Sequence, residues 1–210
     1  MIARGRYIRG GAANRASATS HLNAHLKYLE HRSRDEQESR EDRSIFSRDD
    51  DQVARREAVD DVMAHTSSSV SYHKIVLSPG EDEPIQDWRA WTREVMADLE
   101  EQQGKDLHWY AVHHSNTEHE HVHVVVAGAG EDRETGQEEA VKLYPEDYAH
   151  VRESGHDHSE HDFYYHLSQE LQELDRQDEL GQDLVARDPE HDLSSEPFQA
   201  IDLEQGDHDL

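Results

Sequence analysis

The chain has 210 residues, a formal net charge of −27 and no cysteine, and only 33% of its residues are hydrophobic. This length suits one domain of about 150 residues with tails. The absence of thiols excludes a disulfide scaffold and any thiolate metal site. No apolar stretch approaches the ~20 residues that span a bilayer, and residues 1–9 lack a signal-like apolar region, so a soluble cytoplasmic protein is expected.

The charge argues at first against nucleic acid, whose binders usually carry a basic patch. Only Lys27, Lys74, Lys105 and Lys142 are lysines, however, and acidic residues coat almost every segment. Lysine-poor, acid-rich chains resemble proteins of extreme halophiles, in which net charge maintains solubility. At ~1 M salt the Debye length is about 3 Å, so such an envelope hardly repels a phosphate backbone beyond contact. A disordered acidic protein is the bland alternative.

In chain order, residues 1–34 are basic: Arg4, Arg6, Arg9, Arg15, Lys27, Arg32 and Arg34 face one Glu30. A short extended run at 2–8 ends at Gly10-Gly11. A helix is predicted over 17–31 from Leu22, His25, Leu26 and Leu29, capped by Ser17 or Thr19. Residues 33–52 are almost wholly charged and read as a flexible insertion, followed by a polar helix within 49–63. Residues 70–78 read as a strand stopped by Pro79-Gly80. Residues 87–102 are the best helix, with Trp88, Trp91, Val95, Met96 and Leu99 in one stripe and Gly104 closing it. Strands are predicted at 107–114, 121–127 and 140–143, and a helix start at 145–152. The plan is α+β, with a central antiparallel sheet of about five strands flanked by helices. Residues 1–155 are taken as the domain, and 156–210 as an acidic, histidine-rich tail, part helical and mostly disordered.

Five histidines fall between positions 113 and 123. Alternate residues of a strand share a face, so His121 and His123 point one way while Val122 and Val124 point the other. If 107–114 and 121–127 pair as a hairpin, His114 joins them. Three imidazoles with open positions form a catalytic rather than structural metal pattern. Such a set suits Mn²⁺ or Zn²⁺ better than Mg²⁺. His113 has the wrong parity and is expected to pack behind the site. His119 is expected to face solvent or substrate. Solvated histidines are the alternative reading, set against the cost of unpaired polar groups in so apolar a strand.

The run His114-Ser-Asn-Thr-Glu-His119-Glu-His121-Val-His123-Val-Val-Val resembles the three-histidine motif of plasmid mobilisation relaxases, a branch of the HUH endonucleases. Leu107-His-Trp-Tyr-Ala-Val-His resembles the strand before that motif, and His25-Leu-Lys-Tyr28-Leu-Glu30 the helix bearing the family's nucleophilic tyrosine. The segment around Tyr148 also resembles the family, so coverage is about residues 1–155. Asn116 stands where the family usually has Asp.

The resemblance implies a DNA-nicking enzyme, with Tyr28 as nucleophile and His25 assisting proton transfer. A divalent ion (Mn²⁺ or Mg²⁺, with Zn²⁺ possible) would be held by His114, His121 and His123. Arg4, Arg6, Arg9, Arg15 and Lys27 are expected phosphate contacts. The expected partner is single-stranded DNA at an origin of transfer or replication in a halophile's plasmid or virus, with an accessory DNA-binding protein and a helicase. Tyr148 or Tyr144 is the rival nucleophile and would point to a rolling-circle replication initiator. A non-catalytic DNA-binding protein and a zinc hydrolase of small molecules are readings from other classes.

Overall fold

The computed structural model describes residues 1–31, 43–80, 83–115 and 120–186. The chain is α+β, with a curled five-stranded antiparallel sheet and helices on both faces. Its strands are β1 (Ile2–Arg9), β2 (Val70–Ser78), β3 (Lys105–His114), β4 (His121–Asp132) and β5 (Glu138–Ala140). The order is β1-β2-β4-β3, with β5 on the distal half of β4. The helices are α1 (Arg15–His31), α2 (Arg55–Ala64), α3 (Trp88–Gln103) and α4 (Pro145–Ala186). The sheet and the helices packed on it belong to a compact unit, Met1–Ser168; a second unit, Gln169–Leu210, holds the end of α4.

Two apolar layers follow from period-2 alternation in the central strands. Val122, Val124 and Val126 of β4 pack on the α3 side with Trp91, Val95 and Leu99. Val125 and Ala127 pack on the other side with Leu22, Leu26 and Leu29 of α1 and with α2. Being buried on both faces, β4 reads as a continuous apolar run rather than an alternating one. Helix α3 starts where the Asp87 side chain accepts from the Arg89 and Ala90 amides, and it stops at Gly104 (φ 63°).

Some boundaries differ from expectation. Helix α1 begins at Arg15, upstream of both proposed caps, and Thr19 Oγ1 donates to the Arg15 carbonyl (2.8 Å) from inside the helix. The proposed insertion is packed in its later part: Ile45 and Phe46 are each 1% exposed. Phe46 also exchanges two backbone hydrogen bonds with Ala111, covering the outer edge of β3. Its charged neighbours masked two core residues in the sequence pattern; 32–42 lie outside the described residues. Helix α4 continues to Ala186, well beyond the start predicted at 145–152, while 187–210 lie outside the described residues. No described helix is long and apolar enough to cross a membrane.

Candidate metal centre

β3 and β4 pair in a register that sets His114 opposite His121, and Val112 opposite His123. His114, His121 and His123 therefore share the α1 face. One ring nitrogen from each lies within 4.8 Å of the others. The ring centroids are 5.4 Å apart for His114–His121, and 4.9 Å for each of the other two pairs. Nε2 of His121 and Nε2 of His123 are 3.2 Å apart. Two imidazoles bound at about 2.1 Å to one ion, at roughly 90–110°, hold their nitrogens about 3.0–3.4 Å apart. The residues present thus fit a single divalent ion.

His114 is buried, and its Nε2 lies 3.1 Å from the Leu29 carbonyl of α1. A carbonyl only accepts, so in the neutral ring the proton sits on Nε2 and Nδ1 keeps a lone pair for an ion. Tyr28 is the residue before Leu29 and is 55% exposed. His25, three residues before Tyr28, sets its ring edge-on to His123 at 6.1 Å. Burial, reinforced by the charges of Lys74, Arg6 and His114, lowers the His25 pKa to about 4, so the ring is neutral near pH 7.

The basic residues separate into two groups. Arg4 and Arg6 share strand parity with Ile8, which packs in the α1–α2 layer, so they lie on the histidine face. Arg4 pairs with Val76, which in turn pairs with His123. Arg6 is directly opposite Lys74. Like charges so placed repel, and burial together with Arg6 lowers the Lys74 pKa. A half-buried lysine beside an exposed arginine, on the face of the three imidazoles, can bind an anion, and Lys74 is the residue that sequence reasoning missed. The available signal was a lone lysine alternating with Tyr72 and Val76 in an apolar strand. Arg9 and Arg15 lie elsewhere: Arg9 follows a bulge at the end of β1, and Arg15 donates to Thr66 Oγ1 (3.4 Å) at the end of α1 opposite Tyr28. Lys27 is exposed.

Of the two rival tyrosines, Tyr148 lies across the sheet from the three histidines. Tyr148 packs in the α3-side layer, beneath Gly5 of β1. Tyr144 precedes the same helix, after Val141 and Leu143, which pack in that layer. The sheet therefore separates Tyr148 from the histidines, because helix α4 returns along the opposite face. His113 also faces that side, stacked on Trp88 (4.3 Å between centroids, 17° between planes) and 3.2 Å from Glu120 Oε2. His119 and Asn116 lie outside the described residues.

Residues 28–153 match the family described as relaxase, MobA/VirD2-like, nuclease domain. The match starts at Tyr28 and includes all three histidines. No curated protein matches the chain.

Proposed function

The chain belongs to the MobA/VirD2-like relaxase nuclease domains, and on that premise we propose that it nicks single-stranded DNA through Tyr28. The family comprises metal-dependent DNA endonucleases acting on single strands at an origin. In the proposed step the Tyr28 oxygen attacks the scissile phosphorus in line. The P–O3′ bond breaks, leaving a 5′-phosphotyrosyl link and a 3′-oxygen that takes a proton from water to become the free 3′-hydroxyl. A phenolate is also a reasonable leaving group, so the strand can be rejoined. His25 takes up the phenolic proton: it is on the same helical face and neutral, and hence able to accept, though its low basicity makes it a modest base.

Arg4, Arg6 and Lys74 hold the flanking phosphates. His114, His121 and His123 would hold a divalent ion, Mn²⁺ or Zn²⁺ in preference to Mg²⁺, which when bound would supply Lewis acidity to the phosphate oxygens. The observation that carries the assignment of Tyr28 is the hydrogen bond between His114 and Leu29, which ties the tyrosine's helix to the three imidazoles. Transfer of a plasmid or related element is the role that follows from a nucleophile preceding the histidines, with strand separation supplied by a partner helicase.

The test is cleavage of labelled single-stranded oligonucleotides spanning candidate origins, in molar KCl with Mn²⁺. Adducts are resolved on denaturing gels and located by peptide mapping. An adduct on Tyr28 that vanishes with chelator and in His121→Ala is expected. An adduct on Tyr148 or Tyr144 would make the protein a replication initiator instead. No adduct from folded, metal-loaded protein would overturn the mechanism.

A further inference from the structure

A second group of ligand-type side chains lies on the α1–α2 side of the sheet, away from the nicking centre. His108 and Tyr110 of β3 both reach Asp61 of α2: His108 Nδ1 is 3.2 Å from Asp61 Oδ2, and Tyr110 donates its hydroxyl to the same oxygen at 2.9 Å. His65, immediately after α2 and four residues from Asp61, places its Nδ1 3.0 Å from the Asp61 carbonyl, to which it donates in the neutral ring, and 3.3 Å from Asp61 Oδ1, leaving Nε2 as its lone-pair nitrogen. One donor atom from each of Asp61, His65 and His108 lies within 4.8 Å of the other two. His108 is six residues before His114 on one strand, about 20 Å away, so the two groups cannot share an ion.

We propose that Asp61, His65 and His108 form a second site, for a divalent transition-metal ion of the Zn²⁺ class. Two neutral imidazoles and one carboxylate form a ligand set for such ions rather than for Mg²⁺ or Ca²⁺, which favour oxygen donors. The i, i+4 spacing sets Asp61 and His65 on one edge of a helix, and His108 comes from a rigid strand, so both supports are preformed. Tyr110 orients the carboxylate; burial and its bond to Asp61 raise the Tyr110 pKa, so it remains a donor. The three side chains are each about a third exposed.

A cavity of about 290 Å³ adjoins Asp61 and His108, with Asp49, Asp106, Glu131 and one cation, Arg48, also in its wall. Four carboxylates against one guanidinium raise the local cation concentration, and the space allows water or another small ligand to complete the coordination sphere. The rings of His65 and His108 are stacked, with centroids 3.5 Å apart and planes 9° apart. Two such rings cannot both aim a lone pair at one point. Binding must therefore splay them, exchanging a ring stack for two metal–nitrogen bonds. That rearrangement makes the site visible to spectroscopy.

The test uses the full chain carrying His121→Ala and His123→Ala, which removes the first site and makes the outcome independent of the nicking mechanism. Zn²⁺ is added in steps while the histidine ring signals are followed by NMR. Ring signals are preferred to total uptake because the α4 segment has further histidines. The expected result is that about one equivalent shifts His65 and His108 together, and that Asp61→Asn weakens binding at least about tenfold. If Asp61→Asn impairs folding, His65→Gln replaces it, with the same loss expected. Rings of His65 and His108 that stay unmoved until large excess, or an unchanged affinity in the folded variant, would overturn the proposal.

Discussion

His114 on β3 and Leu29 on α1 are joined by a 3.1 Å hydrogen bond from the imidazole Nε2 to the carbonyl oxygen, so a candidate metal ligand is also tied to the helix that carries Tyr28. The three histidines should therefore differ in what they do for stability. His114 is 1% exposed, and its removal both leaves a void and deletes the bond to the Leu29 carbonyl. His114→Ala is expected to destabilise the metal-free protein by about 2–4 kcal/mol. His121→Ala, at a half-buried ring, should lose less than about 1 kcal/mol. Urea unfolding in the presence of chelator measures both. Equal losses would show that the Leu29 bond contributes little to holding α1.

Tyr148 is expected to behave as a packing residue. It lies under β1 so closely that a Cβ on Gly5 would collide with its hydroxyl. Tyr148→Phe should leave nicking within about twofold, because the ring still fills its place. Gly5→Ala should lower stability by about 1–3 kcal/mol through overpacking. Single-turnover cleavage and thermal unfolding are the readouts. A large loss of cleavage in Tyr148→Phe would reopen the rival nucleophile.

Much of the fold and of the histidine cluster is legible in the sequence. The element order and the convergence of His114, His121 and His123 follow from strand parity and one hairpin, which are local rules. The stripe of α3 and its Gly104 stop follow likewise. What stayed hidden depends on contacts distant in sequence. Ile45 and Phe46 looked like part of a charged loop because nothing local shows that β3 needs its edge covered. Lys74 gains its meaning only from Arg6, 68 positions away and opposite it across β1–β2. Asp61 and His65 had a legible i, i+4 spacing, but His108 joins them only through the packing of α2 on β3. The motif favours Tyr28 over Tyr148 in the sequence, but that a sheet lies between them depends on the path of α4.

Stability should fall as the pH drops below the ordinary histidine value, partly through His73. This ring is 3% exposed, and its Nε2 donates to the Val141 carbonyl at 3.0 Å. Burial lowers its pKa below 6.5, only partly offset by the Val141 bond and the charge of Asp147. The unfolded chain then binds more protons, so the contribution is fully present above about pH 6.5 and is lost as pH falls towards the depressed folded value. His73→Gln keeps a donor for Val141 and removes the titration. Its unfolding free energy, compared with wild type in chelator at pH 7.5 and pH 5.5, should show a smaller drop. An identical drop would exclude His73 as a contributor.

Lys74 should show opposite signs in two measurements. Opposed to Arg6 and half-buried, it is held against charge repulsion, which burial strengthens. Lys74→Met keeps much of the aliphatic stem and deletes the charge. The metal-free protein should become neutral to more stable, by up to about 1 kcal/mol. Single-stranded DNA binding should weaken at the same time, and the slope of log affinity against log salt should flatten by about 0.7 for one lost phosphate contact. Fluorescence anisotropy with a labelled oligonucleotide over a KCl series reads the slope, and urea unfolding reads the stability. A variant that loses stability but keeps the salt slope would make Lys74 a structural residue and remove it from the DNA-binding face. Gained stability with a flattened slope would mean that the strand pairing keeps an unfavourable contact because the substrate's phosphate relieves it.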